Sequence, residues 1–239
     1  MSGSLQLRVL DDLVSARNYN RWIAECTLPS LGDDPIEVGS GIGISAALWL
    51  ELGVPRLTVT DTDKESLARL RERFAGDERV QVRRLDLTTA GEGRHTGVVA
   101  LNVLEHIADD TQALRQAAAL VRPGGRVVIF VPAFPFATGR FDRLIGHYRR
   151  YTIATTWSAM TDAGLEIETV RYVNAPGLLA WFVAVRLLGL TPSDGPLLRA
   201  WDSLAIQVIR RLEAIRSPPF GQSVLAIGRT PAETRTSPE

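Results

Sequence analysis

A glycine-rich segment in the first fifth of the chain has the residue types and the spacing of a ligand-binding turn. Its glycines stand at positions 39, 41 and 43, between an apolar strand pattern and an apolar helix pattern. Glycine suits such a turn because a Cβ at Gly39 or Gly41 would collide with a ligand that approaches the backbone closely. A dinucleotide-binding turn needs its third glycine at position 44, but Ile44 stands there and the glycine comes one residue early. The spacing therefore disfavours a dinucleotide as the ligand.

Two acidic residues accompany this turn where they could hold polar groups of the same ligand. Glu37 lies two residues ahead of Gly39, and Asp61 ends the next strand pattern. An acidic residue about twenty positions after such a turn binds ribose hydroxyls in nucleotide-binding folds. Asp61 is followed by Thr62 and Asp63, which begin a helix pattern as helix caps do. Asp61 is therefore either a ribose ligand or only a cap.

Strand and helix patterns alternate along the chain. The strand patterns cover residues 36–38, 56–61, 80–85, 97–101, 121–132, 165–172 and 223–228. The fifth is a continuous apolar run fed by a Pro-Gly-Gly turn, which is typical of a buried parallel strand. The alternation predicts an open α/β sheet.

The order and spacing of these features resemble the class I, Rossmann-like S-adenosylmethionine-dependent methyltransferases of the small-molecule type. The residues that carry the resemblance are the G-x-G-x-G turn with Glu37, Asp61, Asp86-Leu87 after the third strand pattern, and 102–107 after the fourth. The resemblance covers most of the chain. It implies a seven-stranded, mostly parallel, doubly wound sheet with an antiparallel seventh strand, and a helical lid inserted between strands six and seven.

S-adenosyl-L-methionine is the cofactor that the resemblance implies. Asp86 would accept from the exocyclic amine of adenine while Leu87 packs on the ring. Tyr19, on a helix that closes over the cofactor, would reach the methionine carboxylate. The implied cofactor-binding residues are Tyr19, Glu37, Gly39, Ser40, Gly41, Gly43, Asp61, Thr62, Asp86, Leu87, Asn102 and Leu104.

The segment between strands five and six holds the residues best suited to methyl transfer. The reaction is an in-line displacement from a sulfonium, so the enzyme aligns the two substrates and removes a proton from an OH or NH acceptor. His147 is the candidate base because its ordinary pKa, about 6.5, lies close to working pH. Asp142, Tyr148 and His106 complete the predicted catalytic set. The alternative is that His147 and Asp142 only brace the loop.

The same region offers a weak metal motif. Metal-dependent O-methyltransferases that act on quinone precursors or RNA ribose ends carry Glu-x-x-Glu-His and a later histidine. This chain has Asn102-x-x-Glu105-His106 with His147 downstream. The first carboxylate is missing, and one negative charge is poor for Mg²⁺. We therefore predict no metal.

The stretch between strand patterns six and seven is too long for a hairpin loop. Its first part, 177–190, is apolar but too short, and too interrupted by Arg186, to span a bilayer. Its second part, 197–215, predicts a helix that leaves Arg210, Arg211 and Glu213 to water. The apolar positions of that helix are 197, 198, 201, 204, 205, 208, 209 and 212. This lid, about 174–215, would contact an apolar substrate, a second copy or a membrane surface, or simply pack on its own domain.

Length and composition fit one enzyme domain. The 239 residues are 45% hydrophobic, which predicts a single domain over 1–229 and a polar, disordered tail over 230–239. The net charge of zero argues against a nucleic-acid partner, although Arg140, Arg143, Arg149 and Arg150 could form a local basic patch. A single cysteine, Cys26, and the absence of a signal-peptide pattern predict a cytoplasmic protein.

We therefore expect an enzyme that moves a methyl group from S-adenosylmethionine to an O or N atom of a small substrate. The apolar character of the lid favours an apolar or natural-product-like substrate. Two alternatives stay open. One is a use of the cofactor without methyl transfer, such as its intramolecular cyclisation with release of methylthioadenosine. The other is an accessory protein that binds the cofactor without turnover.

Overall fold

One seven-stranded sheet organises the chain. A computed structural model describes residues 14–89, 91–187, 189 and 195–232. The strands are β1 (Ile36–Val38), β2 (Leu57–Asp61), β3 (Val80–Arg84), β4 (His95–Leu101), β5 (Val121–Pro132), β6 (Glu166–Val173) and β7 (Ser223–Arg229). They lie in the order β3-β2-β1-β4-β5-β7-β6, and β7 runs antiparallel to both of its neighbours. The predicted fold and its antiparallel seventh strand are confirmed.

Helices connect the strands and cover both faces of the sheet. They are α1 (Arg17–Thr27), α2 (Ile44–Glu51), α3 (Lys64–Arg73), α4 (Asp110–Ala119), α5 (Arg140–Leu144), α6 (Ile153–Asp162), α7 (Ala175–Trp181), α8 (Pro196–Ala200) and α9 (Ile206–Ile215). Two π-helical turns, Phe182–Leu187 and Trp201–Ala205, continue α7 and join α8 to α9. Asp63, Asp109 and Thr152 cap α3, α4 and α6, each accepting a backbone N–H with its side chain.

The core has two halves, one on each face of the sheet. Alternate residues of β5 point to opposite faces, so Ile129 and Val131 join one buried cluster while Val128 and Phe130 join the other. Helix α6 packs in the first half, and α1, α2 and α9 pack in the second. Burial on both faces explains why the central strands are nearly continuous apolar runs in the sequence.

The chain between β6 and β7 is helical, as predicted, but Glu213, which was expected to be left to water, is partly buried and accepts the N–H groups of Asn174 and Ala175. Leu204 and Val208, two apolar positions of its second helix, are 71% and 55% exposed, whereas Asp202 is buried. The π-helical turn at 201–205 rotates the helix, because a wider turn shifts the side chains that follow it. The buried apolar residues of this helix are Ile206 and Ile209.

The predicted domain boundaries, 1–229 for the domain and 230–239 for the tail, can be compared with the structure only where the ends of the chain are described. Residues 1–13 and 233–239 lie outside the described residues. Thr230, placed by the sequence in the tail, is buried, and its backbone N–H donates to the carbonyl of Gly125 at 2.9 Å. The ordered chain therefore runs past residue 229. Within the described ranges, no helix has the length and apolar character needed to cross a membrane.

Candidate functional site

The glycine turn joins β1 to α2 in a conformation that other residues resist. Gly39 and Gly43 have φ angles of +68° and +75°, in the left-handed region that favours glycine. A Cβ on Gly39 would lie 2.6 Å from a methyl carbon of Val103, well inside van der Waals contact. Ser40 fixes the turn to β2, because its N–H donates to the Thr60 carbonyl at 2.8 Å. The turn is therefore rigid and packed directly on the loop after β4.

Asp61 and Glu37 present carboxylates at this turn. Asp61 accepts the N–H of Gly41 on one oxygen and that of Asp63 on the other, each at 2.9 Å. Both oxygens keep a lone pair for a further donor. Glu37 is 3% exposed, and its Oε2 has no hydrogen-bond partner among the described residues. Burial raises the pKa of Glu37 to about 7, so a donor or cation beside Oε2 would stabilise the ionised form.

The other predicted cofactor-binding residues are less well placed to contact a ligand than Asp61 and Glu37. Asp86 is exposed and accepts the N–H and the hydroxyl of Thr88, at 2.9 and 2.7 Å, which lower its pKa. Leu87 and Leu104 are 4% and 1% exposed and belong to the hydrophobic core, so neither presents a free apolar face. Asn102 is exposed at the end of β4, with a φ of +53°.

The Tyr19 side chain contacts β7. Its hydroxyl is buried and forms a hydrogen bond with Ser223, and burial raises the pKa of the phenol. Ser223 begins β7, which is three strands away from β1 in the sheet. At the usual strand spacing this separation is about 14 Å. The predicted contact with a methionine carboxylate therefore stays a prediction, and in the structure the hydroxyl is hydrogen-bonded to Ser223 instead.

A buried polar cluster lies beyond β4 and β5. Asp142, on α5, is fully buried and accepts from His147 Nδ1 at 3.0 Å and from Arg150 Nε at 2.7 Å. It also accepts the N–H of Gly139 at 2.8 Å. Burial opposes ionisation of Asp142, but the hydrogen bonds from His147 and Arg150 outweigh it and lower the pKa to about 2. Asp142 is therefore a fixed anion that orients the imidazole of His147.

Glu105 faces the other side of the same imidazole. It follows β4 on a short 3₁₀ turn, and its Oε1 lies 3.8 Å from His147 Nε2. Neither carboxylate oxygen has a hydrogen-bond partner among the described residues, and burial raises the pKa to about 8. The ring of His106 stands edge-on to that of His147, with centroids 4.6 Å apart. Burial and the neighbouring His147 lower the pKa of His106 to about 4, so His106 is neutral near pH 7.

This arrangement gives His147 the geometry of a base. With Nδ1–H assigned to the bond with Asp142, Nε2 keeps its lone pair and can take a proton. The resulting imidazolium would be stabilised by the adjacent anion, as in hydrolase triads. Sequence reasoning placed His147, His106 and Asp142 here but left Glu105 out of the catalytic set. Its position directly before His106 was the available signal.

The remaining residues of the loop brace it. Tyr148 is 66% exposed, and only its backbone joins the cluster, its N–H donating to the Glu105 carbonyl at 2.8 Å. The prediction of a catalytic role for the Tyr148 side chain is therefore not supported, because that side chain does not join the polar cluster. Arg149 pairs with Asp110 at 2.7 Å, and Arg150 is buried against Asp142. Both arginines are engaged within the protein, so they do not form the basic patch that the sequence suggested.

The ligand atoms of Glu105, His106 and His147 lie within 4.8 Å of one another, close enough to hold a metal ion. One carboxylate and two imidazoles suit a transition metal better than Mg²⁺. The absence of a metal therefore remains a prediction. The loop 102–106 connects the two parts of the site, since Val103 packs on Gly39 and Glu105 faces His147.

Comparison with known proteins finds methyltransferases among the relatives of this chain. A methyltransferase domain family model matches residues 36–127. A probable S-adenosylmethionine-dependent methyltransferase of Mycolicibacterium smegmatis is 29% identical over 165 residues, which cover 67% of this chain and 61% of that protein. A ubiquinone biosynthesis O-methyltransferase of Xanthomonas axonopodis pv. citri is 32% identical over 161 residues, which cover 60% of this chain and 66% of that protein. Against four of the curated relatives, the chain spans 39% to 61% of their length.

The fold is also found among solved structures. A crystal structure of an S-adenosylmethionine-dependent methyltransferase from Mesorhizobium loti superposes with a TM-score of 0.59 and covers 87% of this chain and 95% of that one. The two sequences are 18% identical, so this likeness concerns the fold alone.

Proposed function

Because the chain belongs to the class I, Rossmann-like S-adenosylmethionine-dependent methyltransferases, we propose that it methylates an O or N atom of a small, apolar molecule. The observation that carries the proposal is the placement of His147. Asp142 holds its Nδ1 at 3.0 Å, and the same short loop that faces it packs on the glycine turn. This connection between the two parts of the site supports a base that acts near the cofactor turn.

The residues at the turn fit S-adenosylmethionine, whose sulfonium supplies an electrophilic methyl group. Asp61 is proposed to accept from the ribose hydroxyls, for which each of its oxygens keeps a lone pair. Glu37 Oε2, buried without a partner, is suited to a donor from the amino acid part of the cofactor, since a buried carboxylate oxygen is costly until it is paired. Gly39 and Gly41 let the backbone approach closely.

His147 is proposed to remove the proton of the acceptor. The proton would pass from the acceptor O or N to Nε2, and Asp142 would stabilise the imidazolium without taking the proton itself. Neutral His106 would line the approach. Glu105 is protonated at pH values below about 8, so Asp142 would supply the negative charge beside His147.

Apolar side chains of the insertion support an apolar substrate. Trp181 of α7 stands edge-on to Phe141 at 5.5 Å and lies 4.9 Å from the Arg150 guanidinium. Phe182 packs on Phe136 at 5.9 Å. The beginning of the insertion thus covers the loop that carries His147. The name of the O-methyltransferase relative favours oxygen over nitrogen as the acceptor atom.

Calorimetric titration with S-adenosylmethionine and S-adenosylhomocysteine, followed by mass spectrometry of the cofactor, tests the proposal. We expect binding of both ligands, intact cofactor in the absence of an acceptor, and S-adenosylhomocysteine once phenolic or prenylated acceptors are screened. Release of methylthioadenosine without an acceptor would instead support cyclisation. Failure to bind either ligand would overturn the proposal.

A further inference from the structure

An apolar stripe runs along the outside of the second helix of the insertion. It consists of Leu204, Val208, Leu212 and Ile215, which are 71%, 55%, 61% and 84% exposed. Their spacing of four, four and three residues places them on one face of the helix. A helix packed on a water-soluble core normally turns this face inwards. The outer stripe is therefore reversed with respect to ordinary packing.

The reversal follows from two acidic residues on the inner side. Asp202 is buried and accepts the N–H groups of Asn18 and Tyr19, at 2.9 and 2.8 Å, in the first turn of α1. Glu213 accepts the N–H groups of Asn174 and Ala175, each at 3.0 Å, where α7 begins. These carboxylates satisfy helix N-termini that would otherwise be unpaired. The inner face is thus fixed by the fold, and the outer stripe is left exposed.

The first helix of the insertion shows the same pattern. Leu179, Val183 and Leu187 follow one another at intervals of four and are 61%, 51% and 62% exposed. With the outer stripe, they make seven of the thirteen large apolar side chains that are exposed in the described part of the chain. Such concentration on one segment marks an interaction surface.

The exposed charged side chains of α9 and of the residue that follows it are of one sign, whereas the partly buried Arg210 pairs with Glu25 of α1. Arg211 and Arg216 are exposed on or beside the outer stripe. Over the described residues of the insertion, 175–187, 189 and 195–215, the only acidic side chains are the two that bind helix N-termini, and neither is exposed. A two-fold contact between copies would bring these arginines near their own images. An anionic surface complements them.

We propose that the insertion docks on an anionic lipid surface, with the outer stripe in the boundary between headgroups and acyl chains and the arginines at the phosphates. An exposed apolar face flanked by arginine is the pattern of interfacial helices. The proposal concerns localisation of the protein and does not depend on methyl transfer.

Vesicle co-sedimentation of the full chain tests this. We expect binding to vesicles of phosphatidylglycerol and phosphatidylcholine at least tenfold tighter than to phosphatidylcholine alone, and weakened by salt, since screening shortens the reach of the arginines. The variant Val208→Ser/Leu212→Ser should lose at least tenfold in binding to the mixed vesicles. Arg211→Gln/Arg216→Gln should remove the preference for the anionic lipid.

Trp157→Ser is the matched control. Trp157 is 50% exposed on α6, which packs on the opposite half of the core from α9, and its variant should bind like the unmodified protein. Equal binding to both kinds of vesicle, or an equal loss in the control, would contradict the proposal. So would the absence of vesicle binding together with a dimer, seen by sedimentation velocity, that Val208→Ser/Leu212→Ser dissociates.

Discussion

Glu105 should make the stability of the protein fall as pH rises, and Glu105→Gln should remove this effect. Burial raises its pKa from 4.5 to about 8 in the folded protein. For an acid with a raised folded-state pKa, stability is fully present below the unfolded value and is lost as pH rises towards the folded value. The difference corresponds to about 5 kcal/mol above pH 8 and about 3 kcal/mol at pH 7.

Glutamine keeps the shape of the side chain but does not titrate. The free energy of unfolding of Glu105→Gln relative to the unmodified protein should therefore rise by about 3 kcal/mol between about pH 4 and pH 7, and by a further 1 to 2 kcal/mol towards about pH 8.5. Urea unfolding followed by circular dichroism across this range measures it. His106 and Asp142 titrate in both proteins, so their contributions largely cancel in the comparison.

Glu166→Gln is the matched control, because Glu166 is exposed at the start of β6. Its difference from the unmodified protein should change little with pH. A Glu105→Gln curve that stays parallel to that of the unmodified protein from about pH 4 to pH 8.5 would refute the reasoning, since the carboxyl would then be ionised at no cost to folding.

Three further predictions concern the proposed site. Asp61→Ala should weaken S-adenosylmethionine binding by about 1–3 kcal/mol in calorimetry, because ribose hydroxyls lose their acceptor, whereas Asp63→Ala, which removes only a helix cap, should change the affinity little. His147→Ala should leave that affinity intact and slow turnover by about 10²- to 10⁴-fold; unchanged turnover would remove His147 from the mechanism. Gly39→Ala should abolish cofactor binding, since its Cβ would meet Val103 at 2.6 Å; normal binding would show that the loop after β4 can yield.

The central strands of the sheet were predictable from the sequence because they are buried on both faces. A strand such as β5 must then be apolar at successive positions, and the predicted range 121–132 agrees with the structure. The glycine turn was predictable for a local reason as well, because the left-handed backbone at Gly39 and Gly43 favours glycine over every other residue. Patterns set by local backbone geometry can be read without knowledge of tertiary contacts.

Features decided by distant partners were not predictable. Asp202 is buried through hydrogen bonds to Asn18 and Tyr19, residues more than 180 positions earlier, and helical periodicity carries no sign of these bonds. Tyr19 was assigned from its place in the sequence, and the structure turns it to Ser223. The pairing of His147 with Glu105 likewise depends on how two loops after different strands meet.

The bond between Asp202 and α1 also bears on how the protein is made. Asn18 and Asp202 are separated by 184 residues, so the first helix cannot gain its cap until the last fifth of the chain has left the ribosome. Trp22 and Ile23, which α1 buries in the half of the core that includes α9, lack the cover of α9 until then, which favours chaperone binding or aggregation. Nascent chains stalled before residue 202 should therefore be protease-sensitive at α1, and chains released beyond it should be protected.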